Sequence, residues 1–243
     1  MSLSWIEPDW PAPPGVRAFS SLRTGGVSQG AYASLNLGVH VGDRASSVAT
    51  NRLMLKESLS LPAEPFWLNQ VHGKTVVKAG RVGDGPPDAD ASFCEGTGVV
   101  CAVMTADCLP VLFCDCSGAR VGAAHAGWRG LADGVLESTV EAMGSGDLMA
   151  WLGPAIGPES FEVGAEVRQA FLDRLGDCDA AFRPIDSSHW LADLYGLARI
   201  ALGRAGVSAV YGGEYCTYAD PMRFFSYRRD GQTGRMATLI WRE

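Results

Sequence analysis

The stretch VVCAVMTADCLPVLFCDCSGARVGAAHAG, residues 99–127, reads as three buried strands with one irregular corner between the first two. Its apolar residues do not alternate with polar ones, the pattern of strands covered on both faces. The run breaks at Thr105 to Cys108, and Pro110, which lacks a ladder donor and restricts Leu109 before it, makes the re-entry irregular. Ser117-Gly118 reads as a two-residue turn, after which the chain returns through Ala119 to Gly127. In that hairpin Cys116 faces Ala119, Leu109 faces Ala126, Pro110 faces His125, and Cys108 lies opposite Gly127. Neighbouring strands lie about 4.8 Å apart, so the Cys108 and His125 side chains leave one end of the hairpin together. Cys114 and Cys116 belong to the turn end, roughly 20 Å away at about 3.4 Å per residue. Thr105, Asp107 and the run Gly127-Trp128-Arg129-Gly130 gather polar and glycine residues at the Cys108 end, and chemistry collects in loops at strand ends.

Towards the N-terminus, WPAPPGVRAFSSLRTGGVSQGAYASLNLGVHVGD reads as short strands joined by turns, with Arg23, Asn36 and His40 on or beside loops. SSVATNRLMLKESL, from Ser46, reads as a helix with a serine cap, stopped by Pro62 and Pro65. PFWLNQVHGKTVVKAG gives two β-prone runs with a glycine at the bend, and VGDGPPDADA is a loop. Towards the C-terminus, LADGVLESTVEAMG reads as one helix closing at Gly144. GAEVRQAFLDRLG follows as a helix with Val167, Phe171 and Leu175 on one face, and WLADLYGLARIALGRAG as another carrying Leu191, Leu194, Ala198 and Ile200. SAVYGGEYCTY, FFSYRR and MATLIWRE read as closing strands. The expectation is one α+β domain over residues 1–243, a mixed β-sheet core flanked by helices in a layered α/β sandwich.

Composition narrows the function. A net charge of −7 without a basic block argues against nucleic acid, whose affinity is supplied by clustered Lys and Arg. There is no basic segment leading into an apolar stretch at the start and no run of about 18 apolar residues, so no membrane partner and a cytoplasmic location are expected. Seven cysteines is an odd number in a chain too large to need disulfide staples, which favours reduced thiols. Cys94, Cys101, Cys178 and Cys216 read as packing residues, the Cys114-x-Cys116 pair is a weak metal signal, and His189 reads as structural or exposed.

Several motifs in order along essentially the whole chain resemble the YfiH family, described both as laccase-like polyphenol oxidases and as purine nucleoside phosphorylases. They are NQVHG at 69–73, TADCLP at 105–110, HAGWRG at 125–130, GPAIGPESFEVG at 153–164 and the tail FFSYRRDGQTGRMATLIW, with RTGGVSQGAYASLNLGVHVGD near the start. The resemblance implies a zinc site in which His72, Cys108 and His125 are ligands and catalytic residues; His72 enters by resemblance alone. One thiolate and two imidazoles leave a fourth position open, the pattern of a catalytic zinc, which acts as a Lewis acid or lowers the pKa of its water. The resemblance further implies purine nucleosides and phosphate as partners: phosphorolysis of adenosine, inosine and methylthioadenosine, and deamination of adenosine, with no obligate protein partner. Guanidinium forks match phosphate oxygens. Arg23, Arg129 and the Arg228-Arg229 pair are therefore phosphate candidates, and Asn36 and Gln70 join them as candidate substrate contacts. Asp107 is expected to transfer a proton or orient a ligand beside Cys108, against the plainer role of capping the bend. The usual zinc-deaminase signature, His-x-Glu with Pro-Cys-x-x-Cys, is absent.

Other classes remain open at this point. A metal-free hydrolase would use Cys108 as nucleophile and His125 as base, oriented by Asp107 or Asn69. Copper-dependent phenol oxidation ranks lower, because four histidines are too few for a blue site plus a trinuclear cluster. A non-enzymatic binding module leaves the joint occurrence of His72, Cys108 and His125 without a reason.

Overall fold

The computed structural model describes residues 3–80, 85–144 and 147–243; the part of the expected 82–91 loop at 82–84 lies outside them. Along the chain run β1 (Trp5–Ile6), β2 (Val16–Ser21), α1 (Ala45–Ser58), β3 (Val76–Lys78), β4 (Ala91–Cys94), β5 (Val100–Thr105), β6 (Leu109–Asp115) and β7 (Val121–Ala126). They are followed by α2 (Trp128–Asp133), α3 (Val135–Met143), β8 (Leu148–Leu152), β9 (Glu162–Gly164), α4 (Ala165–Leu175), β10 (Phe182–Pro184) and β11 (His189–Ala192). The last elements are α5 (Leu194–Arg204), β12 (Ala209–Gly212), α6 (Tyr227–Asp230) and β13 (Met236–Arg242).

Two sheets form the centre. One has the order β1-β2-β13-β5 and is antiparallel throughout. The other, β12-β8-β6-β7-β4-β3, is antiparallel in its middle and parallel at both edges. β5 and β6, adjacent in sequence, belong to different sheets, so the break at Thr105 to Cys108 is the corner where the chain crosses from one layer to the other. Both strands are buried along their whole length, as their unalternating composition requires.

Alternation along each strand then sorts the core. Cys101, Val103 and Ile240 meet Leu112, Cys114, Val121, Ala123 and Trp151 between the sheets. Val111, Phe113, Ala124 and Leu152 point the other way, against Leu131, Leu136, Phe171 and Leu197 of α2 to α5. On the outer face of the smaller sheet, Phe19, Ala102 and Leu239 pack on Leu35, Leu37 and Leu55. The result is a helix, sheet, sheet, helix sandwich, with a three-stranded β10-β11-β9 flap at one side. A fully buried side chain such as Phe113 contributes roughly 1.5–3 kcal/mol.

β6 and β7 pair in the register read from the sequence, Leu109 with Ala126 and Pro110 with His125. The turn is longer than two residues. Pairing stops at Cys114 and Val121, because Asp115 Oδ1 accepts from the Ala119 amide at 2.7 Å and from Ser117 Oγ at 3.0 Å and builds the bend itself. Other elements also differ from expectation. The glycine- and serine-rich block after β2 forms no strand; buried Asn51 ties it down, donating to the carbonyls of Ser34 and Asn36 and accepting from the Val27 amide. α1 starts after Arg44 with no side-chain cap, rather than at a serine. The helix expected over 131–144 is two, since Gly134 adopts φ +100° between α2 and α3. Leu191 belongs to β11, and its helix begins only after Asp193. FFSYRR is not a strand: Ser226 Oγ accepts from the Arg229 amide and starts the short α6. Among the described residues, no helix is long and apolar enough to cross a membrane.

Candidate metal centre and its cavity

His125 shares the strand face of Val121 and Ala123, so its ring enters the space between the sheets at the end where β5 leaves and β6 begins. Cys108 reaches the same point from the corner, where Asp107 holds φ +93°, and His72 reaches it from a bend at φ +61°. The ligating atoms of the three all lie within 4.8 Å of one another. Cys108 Sγ is 4.0 Å from His72 Nε2, and the two imidazoles meet edge to face at 4.9 Å. Among the described residues no second such group of His, Cys and carboxylate ligands occurs. One thiolate and two imidazoles are a fitting donor set for zinc. The backbone also leaves room for it: a Cβ on Gly127 would fall 3.0 Å from Cys108 Sγ and 3.1 Å from His72 Cδ2.

Asp90, fully buried, holds two arms of this trio. Its carboxylate accepts from the amides of Val71, His72 and Gly73 at 3.2, 3.0 and 2.7 Å, and from His125 Nδ1 at 2.8 Å. A carboxylate only accepts, so Nδ1 carries a proton and Nε2 is the nitrogen that becomes free for a ligand when the imidazolium loses its other proton. Burial pushes the Asp90 carboxyl up, yet His125 and the amides outweigh it and hold it below the usual range. Burial likewise opposes the Cys108 thiolate, but His125 and His72 draw it down to about 6. His125 is raised to about 9, because Cys108 and Asp90 together overcome the burial that would lower it.

A cavity of about 490 Å³ opens over the trio. Met104, Ile156, Trp128 and Phe161 give it apolar walls, and Arg129, Arg228, Arg235, His40 and Tyr227 polar ones. Gln70 lines it with both amide ends occupied, by the Met104 amide and carbonyl, each at 2.8 Å. Asp107 also lines it, but its oxygens accept from Thr217 Oγ1 and the Arg228 amide, both at 2.6 Å, so the carboxylate pins the C-terminal segment to the corner. Arg129 stacks over Trp128 at 4.4 Å, and Arg228 donates to the Glu162 carbonyl.

Arg23 and Asn36 are absent from the lining. Arg23 donates to the carbonyls of Ala33 and Pro221 and stacks on Phe225, and Asn36 is buried between Gly38, Asp43 and Arg235. Arg229 is taken up by Asp230 and three carbonyls. Asn69 bonds Asp88 rather than His125. His189 is exposed and pairs with Asp186. Cys94, Cys101, Cys114 and Cys178 are buried, Cys116 is exposed, and Cys216 is half-buried with Sγ accepting from the Gly157 amide. Sequence reasoning missed Asp90, whose only signal was a lone Asp leading into a strand, and Arg235, which had none. His40 was visible only as a loop histidine.

The sequence model of the family described as multi-copper polyphenol oxidoreductase laccase matches residues 17–243. The chain is 55% identical to "Purine nucleoside phosphorylase PA4543" of Pseudomonas aeruginosa, covering 98% of both chains. It is 53% identical to "Purine nucleoside phosphorylase YfiH" of Escherichia coli K12, over 97% of this chain and 98% of that one. The crystal structure of Neisseria meningitidis protein NMB0706 superposes with a TM-score of 0.95 at 54% identity, over 98% of this chain and 99% of that one. That of YlmD from Geobacillus stearothermophilus does so at 0.93 with 34% identity, over 100% and 97%.

Proposed function

The chain belongs to the YfiH family, described as multi-copper polyphenol oxidoreductase laccase, and from that membership we propose that it is a zinc-dependent purine nucleoside phosphorylase. The observation that carries the reading is the His72, Cys108 and His125 trio beneath a cavity with aromatic walls and three arginines. Relatives named purine nucleoside phosphorylase, at 55% and 53% identity over nearly the full length, support it.

In phosphorolysis of inosine a phosphate oxygen bonds to C1′ while the C1′–N9 bond breaks. The electron pair leaves with the base, and the proton of HPO₄²⁻ ends on the purine nitrogen, giving hypoxanthine and ribose 1-phosphate. Trp128 and Phe161 offer flat apolar surface to the purine, and the arginines offer charge to the phosphate. Asp90 keeps His125 in one tautomer and orientation. A zinc ion held by the trio would supply a Lewis acid at the cavity floor. The proposal extends to adenosine and methylthioadenosine as substrates of the same pocket, and to deamination of adenosine. We assign zinc rather than copper, since His189 is exposed and paired elsewhere and His40 lines the cavity outside the trio, leaving two imidazoles for one site. The cavity draws on residues from His40 to Arg235, so the chain works as one domain, in the cytoplasm where unpaired thiols stay reduced.

The test is a product assay on inosine with and without phosphate. Hypoxanthine and ribose 1-phosphate at a rate that saturates with phosphate support the reading; equal base release in phosphate-free buffer, with free ribose as the sugar product, makes the enzyme a nucleoside hydrolase. One observation favours a second reading: Cys108, His125 and Asp90 are connected as a thiol, imidazole and carboxylate chain. It gives a metal-free thiol hydrolase, with Asp90 in the orienting role expected of Asp107 or Asn69. One zinc per chain, bound through Cys108, excludes that reading.

A further inference from the structure

Three guanidinium groups line the cavity, from Arg129, Arg228 and Arg235, and none has a carboxylate partner among the described residues. Seven other arginines are ion-paired in the same structure, so three cations without a carboxylate partner in one cavity wall are left to be met by something else. The one carboxylate in the wall, Asp107, already has both oxygens engaged by Thr217 and the Arg228 amide. Of the three, Arg235 is partly withdrawn from water, where a cation without a paired carboxylate is costly, and an anion entering the cavity reduces that cost.

The three are not equivalent. Arg129 and Arg228 are exposed, whereas Arg235 is half-buried. Nη1 of Arg235 donates to the carbonyls of Thr233 at 3.1 Å and Gly234 at 3.0 Å, which fixes the guanidinium plane. Its Nε and Nη2 have no partner among the described residues, and two adjacent N–H groups of this kind match two oxygens of a phosphate. The stem is held as well. It lies across Gly38, where a Cβ would come within 2.8 Å of Arg235 Cγ. Asn36 Oδ1 accepts from the Arg235 amide at 2.9 Å, and the Leu37 amide donates to the Arg235 carbonyl at 3.1 Å. The loop so stitched to Arg235 is the one that brings His40 to the cavity. Partial burial, then Arg235 and Arg52, lower the His40 pKa, which leaves a neutral imidazole with one N–H to donate.

We propose that the Nε and Nη2 edge of Arg235, with His40 beside it, is the seat of the phosphate, and that Asn36 and Gly38 are positioning residues that hold this seat in place. The proposal rests on the phosphorolysis reading for its ligand but concerns residues that are not members of the metal trio. It also gives Asn36 a role in substrate binding without contact with substrate.

The experiment measures inorganic phosphate binding to the zinc-loaded protein by calorimetry, with no nucleoside present, and then the KM for phosphate and for inosine separately. Wild type is expected to bind phosphate saturably. Arg235→Gln should weaken it about tenfold or more, the loss of a charge-assisted fork, and Arg235→Lys should restore part of it as a point charge. His40→Ala should weaken it about threefold, with the melting temperature measured beside it to show that the fold is retained. In each variant the phosphate KM should rise while the inosine KM stays within about twofold. Wild-type phosphate affinity in both Arg235→Gln and His40→Ala overturns the seat, even if inosine is cleaved normally. Arg235-dependent phosphate binding without any cleavage of inosine keeps the seat and overturns the phosphorylase reading instead.

Discussion

Asp90 Oδ1 lies 2.8 Å from His125 Nδ1, and the same carboxylate takes the amides on either side of and at His72. One buried side chain thus aims one member of the trio by its ring and another by its backbone. Replacing Asp90 with Ala should weaken zinc retention about 10–100-fold in chelator competition. Retention equal to wild type would show that the trio aims itself.

Gly127→Ala is a steric test of the same site. Gly127 has φ −61°, which alanine adopts freely, so the backbone carries no penalty. The added methyl meets Cys108 Sγ at 3.0 Å and His72 Cδ2 at 3.1 Å. Zinc content and nucleoside cleavage should fall together, while the melting temperature of the metal-free protein changes by only a few degrees. Full zinc in Gly127→Ala would mean that the trio adjusts around a methyl group.

Cys108→Ala should lower the zinc content sharply, whereas Cys114→Ser and Cys116→Ser should leave it near one equivalent per chain. Burial first, then Asp115 and Cys116, push the Cys114 thiol up to about 12, so it should resist alkylation at neutral pH in the folded protein. Elemental analysis and mass spectrometry after alkylation read both outcomes. Zinc loss on changing Cys114 or Cys116 would falsify the choice of cysteine.

The β6–β7 turn makes stability depend on acid. Burial raises the Asp115 carboxyl, but Arg120, Ser117 and the Ala119 and Arg120 amides outweigh it and hold its pKa below the ordinary value. A depressed folded pKa gives stability that is fully present above about pH 4 and is lost as pH falls through the folded value. Asp115→Asn should cost roughly 1–3 kcal/mol near neutrality, and its deficit against wild type should shrink only below about pH 4. Denaturant midpoints for the two proteins across that range check it; a deficit that stays constant with pH would assign the loss to shape alone.

The hairpin and its Cys108–His125 end were legible because strand register needs only local information: a turn, a proline and alternation. The corner was visible as an interruption, but that β5 and β6 join different sheets was not, since that depends on β13 pairing with β5. The strands β9, β10 and β11 are three or four residues long and gave no periodic signal. His72 reaches the site only through the grip of Asp90 on its loop, a contact spanning 18 residues, and spacing alone predicted nothing there. Arg235 is placed by Asn36, 199 residues away, so no window of sequence contains its cause.

The position of β13 between β2 and β5 has a consequence for how the molecule is made. A ribosome delivers β2 and β5 long before residues 236–242, and until those residues emerge the two strands have no common partner. The nascent chain therefore carries His72, Cys108 and His125 while the smaller sheet is still open and the Arg235 wall does not exist. The last strand closes the sheet and, through the residue just before it, finishes the cavity in the same event. Stalled or C-terminally clipped chains would therefore lack the partner of β5, the strand that leads into the Cys108 corner, as well as the Arg235 wall.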